Sequence, residues 1–587
     1  MAIRQGRKTV GIPRALWYYY LYPFFKGVLE ELGAQIILSP VTTQALLADV
    51  ELCPTDEPCI SLKLLFAHTR AVWKQNPDYL LLPSLVSVER GNFCCPKFIG
   101  APDMLLQGLD IPRERALVPI IDFSQGDGRV LDSLNRMGRL LGRPGRGRAA
   151  LAAGRRAQEA FYELAAGARL TTPEIYSGKR SQAPAQGPTI GVVSHPYVLY
   201  EWITHDLIGN LRRYGPVLTT EMIPHRKYRP LIEEIYEGEQ LWSFEAHILG
   251  AALQMIKGHL VEKLILVGCF ECGPASIIET FIEAEAHKAG LPFLNLRLDE
   301  HTGQAGLITR IEAFMETTPL KGERRTIPRP GPTKGIGKLG VPTSGHLDIP
   351  LQAILEEWGV DYIIAPPISR GMVARGEEMA PEFICFPFTA LIGQMGYLLE
   401  HGADSLLMLG GKGRCRLGWY AQVQELLLTH YGHHCQMVII DSPLPLTKKL
   451  AGFRHTLSRI TGPAPWSKII GGLRLGLAKL QALERGEELL RWGRAFEGKR
   501  GQTDLLWEDF KRRLAHSSHF TTLAQIEREF RQQVQDLYDP HIDPLRVRLV
   551  GEIWVLMEPY ANLDMEKLLG NRDDVRVWVH REVGPGA

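Results

Sequence analysis

The chain has 587 residues, too many for one hydrophobic core, so several domains are expected. Hydrophobic residues make up 45% and charged residues 22%, the balance of an ordinary soluble globular protein, and a formal net charge of +2 gives no reason to expect nucleic acid or an anionic membrane as partner. No run of 18 apolar residues is present, so no membrane span is expected. The basic start 1–8 leads into Pro13, Arg14 and several tyrosines, without the apolar core and cleavage site of a signal peptide. Nine cysteines are a sparse and odd count. They fit a reducing cytoplasm better than a secreted disulfide framework, and there clustered cysteines point to metal or redox chemistry.

In chain order, Val10-Gly11-Ile12-Pro13 reads as a short apolar strand entering a helix that Leu29-Glu30-Glu31-Leu32-Gly33 closes. Asp56-Glu57-Pro58-Cys59 precedes a helix over 62–68, and 79–82 is an apolar run suited to a strand buried on both faces. Asn92-Phe93-Cys94-Cys95-Pro96 lies just beyond it. Residues 143–170, rich in Ala, Gly and Arg, read as a solvated helical connector, and 177–188 as a polar linker. A second strand–loop–helix opening starts near Thr189, with His195 at the strand end, a place where a site residue can lie, although a single loop histidine is usually polar surface. The strand over 264–267 runs into Cys269-Phe270-Glu271-Cys272-Gly273-Pro274, with a helix over 275–288 behind it. After a strand over 293–296, Asp299-Glu300-His301 suits either acid–base chemistry or a cap and surface turn, the second reading being preferred. The linker 327–338, with three Pro and three Gly, separates the halves.

The second half repeats the first. Leu339-Gly340-Val341-Pro342 opens it, and Leu355-Glu356-Glu357-Trp358-Gly359 closes its helix. Cys59 follows Gly33 by 26 residues and Cys385 follows Gly359 by 26; Asp78 and Asp404 each lie 19 residues further on. Cys94-Cys95-Pro96 and Arg414-Cys415-Arg416 end the two units. Strands alternating with helices indicate parallel sheets. The expected organisation is a first α/β lobe with connector over 1–176, a second lobe over 189–326 and a third over 338–447. A helical insertion follows over 448–545, then a partial fourth lobe over 546–587.

Seven of the nine cysteines fall in or beside strand-to-helix loops, leaving Cys53 and Cys435 as bystanders. Cys269 and Cys272 lie at or near a helix start, where free N–H groups and partial positive charge stabilise a thiolate or the sulfides of an anionic cluster. The C-x-x-C spacing also fits a redox disulfide, zinc or plain loop cysteines. Cys59 starts a helix too, and Cys95 follows a strand. Loops at the carboxyl ends of parallel strands converge on one crevice. Three thiolates there are one short of the usual ligation of a cubane iron–sulfur cluster, which leaves one iron open. No G-x-x-x-x-G-K-[ST] loop or convincing dinucleotide fingerprint is present, so ATP hydrolysis, if needed, must come from another protein. Gly410-Gly411-Lys412-Gly413 lacks the phosphate-loop spacing and reads as room for backbone beside a cluster, and Gly432-His433-His434 as surface.

These motifs resemble the 2-hydroxyacyl-CoA dehydratase superfamily, more narrowly its acyl-CoA dehydratase activase-related proteins, as two family halves fused with the second incomplete. Residues 9–314 look like the first half through Gly11-Ile12-Pro13-Arg14, Cys59 with Lys63, Cys95-Pro96, Cys272-Gly273-Pro274 and Asp299-Glu300-His301-Thr302-Gly303-Gln304-Ala305-Gly306. Residues 338–587 look like the second through Cys385, Gly413-Arg414-Cys415-Arg416-Leu417-Gly418-Trp419-Tyr420 and Gly551-Glu552-Ile553-Trp554. The resemblance implies tandem flavodoxin-like or Rossmann-like lobes and a 4Fe-4S iron–sulfur cluster held by cysteines. It also implies an ATP-hydrolysing activase partner whose low-potential electrons serve to reduce or reductively activate a small substrate, acyl-CoA being one class. A non-catalytic cluster carrier or scaffold for the activase is the alternative, and a zinc- or disulfide-based protein a third reading. By the resemblance Cys59, Cys95 and Cys272 hold the cluster, Cys94 and Cys269 are near neighbours, and Cys385 and Cys415 are the second-half counterparts. Thr389 stands where that half would carry Lys, and a counterpart of the Cys272 loop is missing, so a full cluster is not expected there.

Overall fold

Three four-stranded parallel sheets share one strand order, second–first–third–fourth. In the first, β1 (Thr9–Ile12) lies between β2 (Gln35–Leu38) and β3 (Tyr79–Leu81), and β3 pairs with a strand at Ala116–Leu117. With β4 (Ser84–Ser87), β5 (Ala116–Leu117) and β6 (Ile120–Asp122) named in turn, the β4–β6 pair prolongs β3 and β5 beyond Leu82 and Pro119. The second sheet holds β7 (Ile190–Ser194), β8 (Val217–Thr219), β9 (Lys263–Cys269) and β10 (Phe293–Leu298) in the order β8-β7-β9-β10. The third holds β11 (Leu339–Val341), β12 (Tyr362–Ile364), β13 (Ser405–Leu409) and β14 (Gln436–Ile440) in the order β12-β11-β13-β14. This is doubly wound α/β architecture, tandem Rossmann- or flavodoxin-like lobes with a C-terminal helical region. Every residue of β9 is buried, as a strand covered on both faces requires.

The computed structural model describes residues 7–180, 186–224, 228–235, 241–317, 335–410, 415–433, 435–440, 446–462, 464–572 and 574–583. It divides into two compact units, Met1–Ile327 with Pro381–Phe383 and Lys412–Arg416, and Pro328–Ala380 with Ile384–Gly411 and Leu417–Ala587. The glycine-rich Gly411-Lys412-Gly413 with Arg414, His434, and most of both linkers (181–185 and 318–334) lie outside the described residues.

The internal repeat has a structural explanation at several of its positions. Asp78 Oδ2 accepts the Thr9 backbone N–H at 2.8 Å, and Asp404 Oδ2 accepts that of Lys338 at 2.8 Å. Each aspartate thus anchors the start of the first strand of its lobe. Gly11 and Gly340 sit opposite Leu80 and Leu406 in register, and a Cβ at either would approach the leucine Cδ2 at 3.0 and 2.9 Å. Gly33 and Gly359 both take left-handed backbone, φ 75° and 70°, to end their helices.

The 143–170 connector is not simply solvated. Helix Gly147–Ala168 buries Ala150, Leu151, Gly154, Phe161 and Ala165, and it packs on helix Tyr18–Glu31 through a pair of small residues. A Cβ at Gly154 would meet the Phe24 ring at 2.8 Å, and one at Gly27 would meet the Ala153 carbonyl oxygen at 2.7 Å. In the second unit, helices Trp466–Phe496, Gln502–His516 and Phe520–Asp536 share a core of Leu483, Leu490, Trp507, Phe510 and Phe530, joined by Ile349 of helix Asp348–Trp358. Strands β15 (Leu545–Gly551) and β16 (Val577–Val583) form a separate parallel pair. Among the described residues, no helix is long and apolar enough to cross a membrane.

Candidate metal centre

Cys59, Cys95 and Cys272 each occupy the N-cap of a helix: Ile60–Trp73, Pro96–Gly108 and Gly273–Lys288. Pro96 and Pro274 stand in the first turns, where a missing N–H costs nothing. Cys95 follows the third strand of its lobe and Cys272 the third strand of the next, so the two are topologically equivalent. Strand β9 runs two residues further than the apolar pattern suggests, ending at Cys269, because the buried run includes Gly268 and Cys269. Glu271 then adopts φ 61° to turn the chain into the helix, and Lys97 Nζ donates to its carbonyl at 3.3 Å. A non-glycine residue held there is backbone strain of the kind that clusters at functional sites.

The thiols interact across the two lobes. Cys269 is hydrogen-bonded to both Cys59 and Cys272. The bond from Cys269, assisted by the charge of Lys97 and the first-turn N–H groups of Leu62 and Ser61, brings the Cys59 thiol down to about 6 against the opposing effect of burial. Those same bonds to Cys272 and Cys59 hold the proton on Cys269 and push its own pKa well up. Cys95 is pushed up by burial, and by the charges of Glu245, Cys272 and Cys59. Cys94 is wholly buried, and burial drives its pKa upward, with the nearby Ser243 opposing the rise. All nine cysteines are free.

Two further groups stand beside Cys272. His195 is buried at 2% exposure, which corrects its reading as polar surface, and its Nδ1 lies 2.9 Å from Tyr20 Oη. Glu245, also 2% exposed, approaches His195 Nε2 at 3.6 Å. Burial pushes His195 down to about 3 and Glu245 up to about 7, so near neutral pH the contact is not a conventional ion pair. Glu245 arrives because the segment before its helix joins the Cys94 loop: Ser243 N–H donates to the Phe93 carbonyl at 2.9 Å, and Leu241 N–H to Asn92 Oδ1 at 3.2 Å. The signal for Glu245 was available in the chain. Helix Ser243–Lys257 buries nearly every residue of its first three turns, so an acid and a histidine within it must be buried too.

The Asp299-Glu300-His301 segment is mostly a turn. Asp299 Oδ1 accepts from Thr302 Oγ1 and from the His301 N–H, both at 3.0 Å. Glu300 has a longer reach, pairing with Lys63 at 2.7 Å and tying helix Ile60–Trp73 to the second lobe. In the second unit, Cys385 is again a helix N-cap, and its sulfur meets Tyr420 Oη at 2.5 Å. Cys415 is exposed, Thr389 is buried, and Cys53 and Cys435 are buried.

The donor set suits a soft metal centre. Cys59, Cys95 and Cys272 supply three thiols at helix N-termini, a fourth thiol lies between two of them, and lysines stand nearby. No curated protein matches this chain. Among solved structures, the SBP FpvC from P.aeruginosa in complex with a Ni2+ ion is 13% identical over 53% of this chain and 95% of that chain, with a TM-score of 0.17, too slight a likeness to bear on the site. Residues 9–223, which include Cys59, Cys94, Cys95 and His195, match the family model described as CoA enzyme activase uncharacterised domain (DUF2229), so this stretch is similar to an activase-related domain of CoA enzymes.

Proposed function

We propose that this chain is an iron–sulfur component of a CoA-enzyme activase system. It takes low-potential electrons from an ATP-hydrolysing activase and reduces, or reductively activates, a small substrate. The observation that carries this reading is the set of three cysteine N-caps contributed by two parallel α/β lobes, two of them linked through the Cys269 thiol. Cys59, Cys95 and Cys272 hold the cluster, and Cys269 tunes Cys59. When bound, such a cluster supplies one-electron transfer at low potential. The protein's own share is electrostatic. Helix N–H groups face the anionic sulfurs, Lys97 offsets their charge, and the aromatic walls of Tyr20 and Tyr197 keep water out.

A cavity of about 1180 Å³ in the same unit suits the substrate, with Leu21, Phe24 and Phe244 as apolar lining and Arg155 and Arg156 among its polar residues. Phe244 stacks on Tyr20 at 3.9 Å, so this cavity abuts the wall of the cysteine centre. Its polar lining is mixed, Arg90, Arg155 and Arg156 standing with Glu89, Asp127, Glu159 and Glu163, and Arg155 is paired with Asp127, so the cavity offers room for an acyl-CoA without a lining that selects an anion.

Cys269 gives a second reading a definite footing, because its bonds to Cys59 and Cys272 make it a candidate fourth ligand. One experiment addresses both readings. Anaerobically reconstituted protein is analysed for iron, acid-labile sulfide and charge-transfer absorption. Cys59→Ala, Cys95→Ala and Cys272→Ala should each lose most iron, while Cys269→Ala retains it if that thiol only tunes. Colourless protein after reconstitution would overturn the proposal.

A further inference from the structure

We propose that His195, Glu245 and Cys272 form a second, mononuclear site for a divalent transition-metal ion, sharing Cys272 with the cysteine centre. A ring nitrogen of His195, a carboxylate oxygen of Glu245 and Sγ of Cys272 all lie within 4.8 Å of one another, with His195 Nε2 at 3.6 Å from Glu245. Ligands 2.0–2.3 Å from one tetrahedral ion are about 3.3–3.8 Å apart, so a contraction of about 1 Å completes the set, within what metal binding organises.

Three independent features point to a ligand here. His195 Nε2 is buried and has no hydrogen-bond partner. Its other ring nitrogen is engaged by Tyr20 Oη at 2.9 Å. With the proton on Nδ1 and donated to the phenol oxygen, the Nε2 lone pair is left facing Glu245 and Cys272, the arrangement in which ligating histidines are held by an outer partner. The ring is also clamped in place: Tyr197 stacks on it at 4.5 Å, and Tyr20 is itself stacked on Phe244.

Glu245 supplies the second feature. It is a buried carboxylate with no Lys or Arg paired to it among the described residues. No cationic side chain among them compensates its ionised form, which leaves a bound cation as the group that would hold it ionised. The third feature is the charge balance of the trio. One thiolate, one carboxylate and one neutral imidazole exactly offset a divalent cation, so the loaded site is neutral inside an apolar wall. A mixed nitrogen, oxygen and sulfur set favours Zn2+ or Co2+ over Mg2+ or Ca2+. Three protein ligands leave a fourth position open.

Sharing Cys272 makes this site a competitor of the cluster, yet it needs neither Cys59 nor Cys95. That difference separates the present inference from the proposed function. The test is an anaerobic Co2+ titration of the full chain after chelator treatment, followed by visible absorption. One equivalent should bind, giving d–d bands and a thiolate-to-cobalt charge-transfer band. The shape-matched Glu245→Gln should weaken binding by about tenfold or more, His195→Asn likewise, and Cys272→Ser should abolish the charge-transfer band. Cys59→Ser and Cys95→Ser should bind Co2+ as the parent does, though they fail to load iron. Cobalt spectra unchanged in Glu245→Gln and His195→Asn, or lost equally in Cys59→Ser and Cys95→Ser, would overturn the assignment. Failure of the parent chain to load iron, with the cobalt result intact, would overturn only the cluster.

Discussion

Tyr20 Oη lies 2.9 Å from His195 Nδ1, and both side chains are buried. Tyr20 belongs to helix Tyr18–Glu31 of the first lobe and His195 caps the end of β7 in the second. One hydrogen bond therefore fastens the two lobes beside the cysteines. Tyr20→Phe strands the imidazole nitrogen in an apolar wall. A loss of about 1–3 kcal/mol is expected in chemical denaturation of the metal-free protein. An unchanged unfolding midpoint would mean that the bond contributes nothing net.

Cys59 should be a thiolate at neutral pH in the metal-free protein. The difference in absorbance at 240 nm between the parent and Cys59→Ser should titrate with a midpoint of about 6. Cys269→Ala removes the largest cause of that depression and should move the midpoint upward, and Lys97→Met should do so to a smaller degree. Because the folded-state pKa is depressed, the stabilisation carried by Cys59 is fully present above its unfolded value and fades as pH falls through about 6. A midpoint that stays put in Cys269→Ala contradicts the thiol–thiol bond.

A second buried network joins the lobes away from the cysteines. His68 lies 2.8 Å from Ser39 Oγ and 3.0 Å from Thr42 Oγ1, and Thr42 donates to Glu201. Burial pushes the Glu201 carboxyl up to about 7 from 4.5. A raised carboxyl pKa means the folded state holds the proton more tightly. Its contribution is present below about 4.5 and is lost as pH rises through about 7. Glu201→Gln keeps the acceptor for Thr42 and removes the buried charge. It should raise stability at pH 8, by up to about 3 kcal/mol, and leave it nearly unchanged at pH 4. Melting curves at the two pH values decide the sign.

Packing of helix Gly147–Ala168 rests on small residues. Gly154→Val would drive its side chain into Phe24, whose ring already lies 2.8 Å from an ideal Cβ. A loss of about 1–3 kcal/mol is expected, read as a lowered thermal midpoint. A neutral result would show that the two helices separate easily.

The first compact unit contains Cys59, Cys95, Cys269 and Cys272, and also the segment Lys412–Arg416 with the exposed Cys415, whereas the second contains Cys385 and the buried Cys435. A chain ended at residue 330 and the full chain, both reconstituted anaerobically, should therefore carry equal iron per molecule. Loss of about half the iron on truncation would assign a second cluster to the second unit.

The repeat was the part of this protein most open to reading from sequence. Proline and glycine punctuation, apolar runs and equal cysteine spacing report local events: a strand buried on both faces, a helix start, a left-handed helix end. Those events do not depend on what packs around them, so Cys59 and Cys272 could be placed at helix starts from the chain alone, whereas the same place for Cys95 and Cys385 came from the structure. Asp78 and Asp404 kept their spacing for a local reason too, each anchoring a first strand. Only the tertiary structure decided which side chains meet. Adjacent Cys94 and Cys95 point to different neighbours, which no spacing reveals. His195 looked like loop surface because burial of a strand end depends on the helix laid over it, here the one carrying Tyr20. Glu245 joined the site through the pairing of its leading segment with the Cys94 loop, a contact between residues about 150 positions apart in the chain. Local propensity is written in neighbouring residues, whereas a site assembled from five loops is fixed by packing between lobes.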